Sequence, residues 1–205
     1  HADHDHATLD VNRLEAGNMP LDVEDFSLSD LLEELRQQID PLPRQSDVSL
    51  VWQLSSDGPL RSDRRKIKTI LRNLIINAIK FTDSGSIEIT LKSERNRNAE
   101  FVVNDTGIGI PDDEISNIFG MFRQVRSNSR HSSGVGLGLY IVRRLIDLLS
   151  GQIDVQSRLG SGTTFRVRIP DLARDCASVP TSLAPAGPEP WPTPGEIRIG
   201  AEGPR

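Results

Sequence analysis

The sequence predicts an α+β fold, a two-layer sandwich in which helices cover one face of a mixed, mostly antiparallel sheet. Two observations lead to this prediction. Amphipathic helical periodicity appears in two separate segments, 28–39 and 67–80, and short strand patterns occur in neighbouring pairs joined by polar turns. Strands joined by short turns pair antiparallel, and the helices must bury their apolar stripes against the resulting sheet.

Local signals define the individual elements. A helix from Leu28 to Ile39 opens at Ser27, a residue type that caps helices, and ends before the prolines at positions 41 and 43. The polar segment SERNRN joins two strands, and Gly160 and Gly162 lie between the two strands of a closing hairpin. The predicted strands are 48–54, 86–91, 100–104, 152–156 and 163–169.

Two asparagines and a lysine share one stripe of the second helix, which contains the segment LRNLIINAIKFT. Asn77 follows Asn73 by four residues and Lys80 follows Asn77 by three, so two carboxamides and an ammonium project from one face. By itself, such a stripe is more typical of a solvated face of an amphipathic helix. The adjoining apolar arc predicts a buried face that consists of Ile67, Ile70, Leu71, Leu74, Ala78 and Ile79.

A second motif, DTGIGIP, begins where an apolar run at 101–103 ends. Asp105 is followed by Gly107 and Gly109 at alternate positions, and Pro111 stands where it can open a helix. A carboxylate beside two glycines can accept a hydrogen bond from an exocyclic amine while the backbone approaches a flat ring. Alone, the motif is also typical of a tight turn between a strand and a helix.

A third motif, SGVGLGL, places Gly134, Gly136 and Gly138 directly before a helical pattern that starts at Tyr140. Glycines at a helix start expose backbone N–H groups, on which a polyphosphate can bind. Dinucleotide-binding folds use similar glycines. Here no strand leads directly into the triplet, which argues against a Rossmann fold.

In combination, these motifs resemble the catalytic and ATP-binding domain of sensor histidine kinases, within the GHKL group that also includes gyrase, the Hsp90 chaperones and the MutL proteins. The resemblance extends from Val11 to Pro170 and implies the Bergerat ATP-binding fold. LRNLIINAIKFT is similar to the N box, DTGIGIP to the G1 box, IFGMF to the F box and SGVGLGL to the G2 box. GSGTTFRVRIP resembles the closing glycine motif and the last strand.

The resemblance implies a site for ATP and Mg²⁺. Asn77 would be the Mg²⁺ ligand, Asn73 would support that site and Lys80 would neutralise phosphate charge. Phe81 would stack on the adenine, and Asp105 would bind its amino group. The remaining nucleotide-binding positions implied by the boxes are Gly107, Gly109, Ile110, Phe122, Arg130, Gly134, Gly136, Leu137, Gly138 and Thr163.

A mobile lid over the phosphates is implied from Arg123 to Ser133, with Arg130 as the best candidate for a phosphate contact. Two positions depart from the family pattern, because Ser133 and Val135 stand where glycine and threonine are more usual. Valine lacks a hydroxyl group and stiffens the phosphate loop, so we expect a lower nucleotide affinity.

Position 73 distinguishes two activities within the group. Members that hydrolyse ATP carry a glutamate there as the general base, whereas the amide of Asn73 takes no proton at neutral pH. The implied activity is that of a protein-histidine kinase, which would transfer the γ-phosphoryl group of ATP to a histidine on a dimerisation domain, for relay to a response-regulator aspartate. Two alternatives stay open, a catalytically weak nucleotide-binding regulatory module and a GHKL-type ATPase fragment.

The chain divides into three parts. Residues 1–26 resemble the end of a dimerisation hairpin and its linker, 27–172 form the catalytic domain, and the proline-rich segment 173–205 is expected to be disordered. No motif typical of a phosphoaccepting histidine is present, so the acceptor would be supplied in trans or by a missing part of the chain. Because the sequence begins with His1 rather than methionine, we expect a fragment or a processed product.

Composition sets the remaining expectations. A chain of 205 residues with 36% hydrophobic residues can bury one substantial core. The net charge of −5 and the lack of a basic stripe argue against a nucleic-acid partner. With Cys176 as the only cysteine and no apolar run long enough to span a bilayer, we expect a cytoplasmic fragment without direct membrane contact. A membrane anchor elsewhere in the parent protein stays open.

Overall fold

The computed structural model describes residues 20–94, 98–120 and 137–172, and the backbone of 198–199. The helices are α1 (Leu28–Ile39), α2 (Arg64–Phe81), α3 (Asp112–Ile115) and α4 (Gly138–Leu148). The strands are β1 (Glu24–Ser27), β2 (Val48–Ser56), β3 (Pro59–Ser62), β4 (Gly85–Ser93), β5 (Ala99–Asp105), β6 (Gln152–Arg158), β7 (Gly162–Ile169) and β8 (Arg198–Ile199). Helix α1 has the predicted bounds, and the predicted strands are each extended by one or two residues at one or both ends.

The main sheet has the strand order β2-β4-β5-β7-β6-β8. Strand β2 runs parallel to β4 and β8 runs parallel to β6, whereas the pairings β4-β5, β5-β7 and β7-β6 are antiparallel. The prediction of a mixed, mostly antiparallel sheet is therefore confirmed. Asp105, the last residue of β5, is paired with Ile87 on one side and with Thr163 on the other.

Alternate strand residues face the helices and form the core. Ile87, Ile89 and Leu91 of β4 are fully buried, whereas Glu88 and Thr90 between them are only partly buried. Helices α1, α2 and α4 pack against strands β4, β5 and β6. Each buried Leu or Ile side chain at this interface contributes about 1.5–3 kcal/mol. The two-layer sandwich with helices on one face is thus confirmed.

The buried face of α2 agrees with the sequence pattern except at two positions. Ile75 is fully buried although it was not among the predicted residues, and on a helix it lies between Leu71 and Ile79, within the predicted arc. Ile79, which was expected on the buried face, is only partly buried, as is Ile76. The other five predicted residues of the arc are buried.

A short ribbon of β1 and β3 lies outside the main sheet and was not predicted. Its two strands pair antiparallel over four residues each, and Phe26 pairs with Leu60. Both of these side chains are buried in the core, with exposures of 7% and 1%. The chain therefore becomes part of the packed structure before α1 begins.

A buried carboxylate joins the incoming chain to the first turn of α2. Asp63 is 1% exposed and caps α2, because its Oδ1 accepts the backbone N–H of Lys66 at 3.0 Å. Its Oδ2 accepts from the backbone N–H of Asp22 at 2.9 Å and from Lys66 Nζ at 2.6 Å. Lys66 Nζ also donates to the carbonyl of Pro20 at 2.9 Å. Residues 20–22 are thereby attached to α2.

Candidate nucleotide-binding site

The two asparagines of α2 lie against the start of α4. Asn73 donates from Nδ2 to the carbonyl of Thr69 at 2.8 Å, so one of its two amide hydrogens is used within its own helix. A Cβ atom placed on Gly138 would lie 3.1 Å from Asn73 Oδ1 and 3.9 Å from Asn77 Nδ2. Glycine at the first residue of α4 therefore allows this helix start to approach both carboxamides closely.

The last turn of α2 continues the stripe. Lys80 Nζ lies 5.1 Å from the centroid of the Phe81 ring, a distance at which a cation is attracted by an aromatic face. Burial lowers the pKa of Lys80 from its ordinary value. The Phe81 carbonyl accepts the backbone N–H of Ile108 at 3.0 Å. The end of α2 is thus joined to the loop that follows β5.

Asp105 is held at the end of β5 by backbone donors. Its side chain is nearly buried, with 6% of the residue exposed. The Gly107 N–H donates to Oδ1 at 2.9 Å, and the backbone N–H of Thr163 donates to the same carboxylate. Burial raises the pKa of Asp105, and these two hydrogen bonds offset only part of that effect. The site therefore contains an oriented carboxyl group with little water around it.

The loop after Asp105 needs its glycines for close contact. A Cβ atom on Gly107 would lie 2.3 Å from the carbonyl oxygen of Phe81. Gly109 has a φ of 69°, and a Cβ atom there would lie 2.1 Å from the carbonyl oxygen of Arg158. The turn between β6 and β7 also supports this loop, because Gly160 N–H donates to the carbonyl of Ile108 at 2.8 Å.

A polar row crosses the helix-facing side of the sheet at this edge. Asp105, Thr163 and Ser157 are neighbours in register on β5, β7 and β6. The next row inward on the same face is apolar and consists of Val103, Phe165 and Val155. Ser157 was not predicted as a site residue, because its contacts bring together residues 47 positions apart in the chain, which no local pattern reveals.

The structure brings together the predicted residues of α2, the loop after β5, the start of α4 and the start of β7. Leu137 immediately precedes α4, and the backbone N–H of Ile110 donates to Ser157. Phe122, Arg130, Gly134 and Gly136 lie outside the described residues, as do Ser133, Val135 and the whole predicted lid.

The described residues contain no group of three His, Cys, Asp or Glu side chains that could hold a metal ion on their own. An ion at the asparagines would therefore need oxygen atoms from a bound phosphate. This suits Mg²⁺, which is commonly held by one or two protein oxygens together with substrate phosphates and water. The amide oxygen of Asn77 fits this requirement.

Comparison with known proteins identifies the family of this chain. Residues 62–173 match the family model described as histidine kinase-, DNA gyrase B-, and HSP90-like ATPase. The chain belongs to this family. The resemblance inferred from the N, G1, F and G2 boxes is confirmed, and the domain is homologous to the ATPase domains of sensor histidine kinases.

A curated relative of this family member is the autoinducer 2 sensor kinase/phosphatase LuxQ of Vibrio vulnificus. It is 37% identical over 190 residues, which make up 89% of this chain but 22% of LuxQ. Full-length ShkA, solved in complex with AMPPNP, has a TM-score of 0.70 and 30% identity over 80% of this chain and 34% of that chain. The nucleotide-free catalytic domain of ThkA has a TM-score of 0.62 and 27% identity, and the match covers 73% of this chain and 96% of ThkA's.

The chain matches only part of the length of its longer relatives. It spans only 22% of the length of LuxQ, whereas the ThkA catalytic domain is matched almost completely. The similarity to relatives thus concerns an ATP-binding domain rather than a whole sensor protein. Within the residues that the structure describes, no helix is long and apolar enough to cross a membrane.

Proposed function

We propose that this chain is the catalytic domain of a sensor histidine kinase, which transfers the γ-phosphoryl group of ATP to a histidine on a separate dimerisation domain. From that histidine the phosphoryl group would pass to an aspartate of a response regulator. The proposal rests mainly on one feature of α2. The helix contains no Asp or Glu, and Asn73 donates one of its two amide hydrogens to the Thr69 carbonyl.

That feature favours phosphoryl transfer over hydrolysis. A neutral amide takes up no proton at neutral pH, so Asn73 cannot act as the general base that activates water. Transfer to an imidazole nitrogen requires mainly positioning and neutralisation of phosphate charge, because a neutral imidazole nitrogen, unlike water, is nucleophilic without a general base. The site offers polar and cationic groups for this purpose in Asn73, Asn77 and Lys80.

The phosphate end of the site would be formed by α2 and the start of α4. Asn77 would hold Mg²⁺ through its amide oxygen, and the ion, when bound, would neutralise part of the phosphate charge. Lys80 would add a second positive charge. Gly138 places the N-terminus of α4 beside both asparagines, where its backbone N–H groups can face an anion. Gly134, Gly136 and Arg130 would contribute further phosphate contacts.

The base end would be formed by the loop after β5. Asp105 is an oriented acceptor for an exocyclic amino group, and Gly107 and Gly109 let the backbone approach a planar base. Phe81 would stack on the base, and Thr163 lies beside the Asp105 carboxylate. Ile110, Phe122 and Leu137 would line the remaining nucleotide surface. Since ATP is the donor, we place the reaction in the cytoplasm.

Calorimetric titration with AMPPNP tests the binding site, with and without Mg²⁺. We expect saturable binding by the native chain, a loss of at least about tenfold in affinity for Asp105→Ala, and a loss of the Mg²⁺ dependence for Asn77→Ala. Gln37→Ala is the matched control, because it removes an exposed carboxamide from α1. Equal Mg²⁺ dependence in the native chain and Asn77→Ala would refute the metal-ligand role.

The transfer itself is tested with γ-labelled ATP and a histidine-containing dimerisation domain supplied in trans. We expect label on that domain that is stable to base and lost in acid, as a phosphoramidate requires. Release of inorganic phosphate without labelling would instead support an ATPase. Binding without either reaction would support a nucleotide-dependent regulatory module.

A further inference from the structure

One serine at the base end has a complete set of hydrogen bonds. Ser157 Oγ accepts the backbone N–H of Ile110 at 2.8 Å and donates its own hydrogen to the carbonyl of Gly162 at 2.9 Å. Its third partner is the hydroxyl of Thr163, at 2.8 Å. A hydroxyl has one hydrogen and two lone pairs. Since a carbonyl oxygen can only accept, the single hydrogen of Ser157 is used on Gly162.

This count fixes the direction of the bond between the two hydroxyls. With its hydrogen on Gly162, Ser157 can only accept from Thr163, so Thr163 must donate its own hydrogen to Ser157. The Thr163 oxygen is then left with lone pairs alone for any other partner. Thr163 is 6% exposed and is paired with Asp105 across the sheet. Its backbone N–H donates to the Asp105 carboxylate.

Two neighbouring side chains at the base end therefore present only hydrogen-bond acceptors. One is Asp105. The other is Thr163, because its hydroxyl hydrogen is already donated to Ser157. A hydroxyl that was free to rotate could instead turn its hydrogen toward a ligand and serve donors and acceptors equally. A fixed acceptor pair favours a ligand group rich in N–H hydrogens and disfavours one that lacks them, because buried acceptors would then stay unpaired.

We propose that Ser157 is a specificity-determining positioning residue, which orients the Thr163 hydroxyl so that the site selects a purine with an exocyclic amino group. This role rests on the proposed function, since it assumes that the nucleotide base binds beside Asp105 and Thr163. Ser157 itself does not touch the base in this proposal. It acts through Thr163, and its own hydrogen bonds join the loop after β5 to the first residue of β7.

The test compares two diphosphates by calorimetry, ADP and purine riboside diphosphate. They differ only in the 6-amino group, which the second compound lacks. The ratio of their dissociation constants therefore measures what the amino group contributes to binding. In Ser157→Ala the Thr163 hydroxyl loses its acceptor and can rotate. We express the ratio as the dissociation constant of purine riboside diphosphate divided by that of ADP. In Ser157→Ala we expect this ratio to be about three- to tenfold smaller than in the native chain.

Three further variants separate orientation from structural support. Ser157→Thr keeps the hydroxyl and is expected to retain the native ratio. Ser56→Ala is the matched control, because it removes a serine that donates to the Ser93 carbonyl at 2.7 Å, away from the base end. In a Thr163→Val background, Ser157→Ala is expected to change the ratio no further, because the residue through which it acts has lost its hydroxyl.

The outcomes distinguish this inference from the proposed function. No saturable ADP binding by the native chain would refute both. If Ser157→Ala weakens the two nucleotides equally and leaves the ratio unchanged, the serine is only a structural support and the inference is wrong. A similar shift in ratio for Ser56→Ala would also overturn it. Melting temperatures of all variants show whether each one is folded under the conditions of the titration.

Discussion

Replacement of Gly107 by alanine tests whether the base end depends on close backbone contact. The added Cβ atom would lie 2.3 Å from the Phe81 carbonyl oxygen, and ordinary contacts begin at 3.4 Å, so one of the two segments must move by about 1 Å. The clash is with backbone at the end of α2, which cannot rotate away. Such a shift would also disturb the bond from Ile108 N–H to Phe81 and the bond from Gly107 N–H to Asp105.

The expected cost follows from these contacts. Overpacking of this kind costs about 1–3 kcal/mol, and the disturbed hydrogen bonds add about 1 kcal/mol. A total of about 2–4 kcal/mol corresponds to a decrease in melting temperature of about 4–16 °C for a domain of this size. We also expect ADP affinity to fall by at least about tenfold, because the loop that positions Asp105 is displaced.

Thermal unfolding followed by circular dichroism checks the stability, and calorimetry checks the affinity. Gly160→Ala is the matched control, since no atom lies within 4 Å of its added Cβ and only its φ of 78° makes alanine unfavourable. That variant should lose about 1–2 kcal/mol, or about 2–8 °C. If Gly107→Ala melts within about 2 °C of the native chain and binds ADP normally, the close contact does not determine the site.

The remaining predictions concern two buried carboxylates. Burial raises the pKa of Asp105, so the charged carboxylate destabilises the fold at pH values above that pKa. Asp105→Asn should therefore raise the melting temperature at neutral pH. The same substitution should weaken ADP binding. Asp63→Ala removes the cap of α2 together with the bonds to Lys66 and Asp22, and we expect a loss of about 2–4 kcal/mol in urea unfolding. Burial alone would raise the pKa of Asp63, but the hydrogen bonds from Lys66 and Asp22 outweigh it and lower the pKa below the ordinary 3.8. Its stabilisation should persist at pH 5 and be lost as the pH falls below about 4, and Asp63→Ala should not show this acid dependence.

Much of the fold could be predicted because its elements follow local rules. Helix α1 is capped by Ser27, whose Oγ accepts the N–H of Asp30, and it ends before the prolines, so a cap and a stop signal define both bounds. Strand β5 alternates buried and partly buried residues along its length. Such patterns depend only on residues within a few positions of one another.

The parts that escaped prediction depend on distant contacts. Strands β1 and β3 have four residues each, too few for a periodic signal, and they are held by Phe26 and Leu60 in the core. Ser157 likewise needs the folded sheet to bring it beside Thr163. The roles of Asn73, Asn77 and Lys80 stay predictions until the binding experiments are done.

The attachment of residues 20–22 to the first turn of α2 has a mechanical consequence. Asn77 stands 14 residues beyond Asp63, so α2 extends about 21 Å from the point where the chain enters to the carboxamides. A force on residues 20–22 acts on the first turn of α2 through two hydrogen bonds, from Asp22 N–H to Asp63 and from Lys66 Nζ to the Pro20 carbonyl. A tilt of about 5° about that end would displace Asn77 by about 2 Å, comparable to the length of a metal-ligand bond. A displacement of residues 20–22 can thus be transmitted along α2 to the position of Asn77.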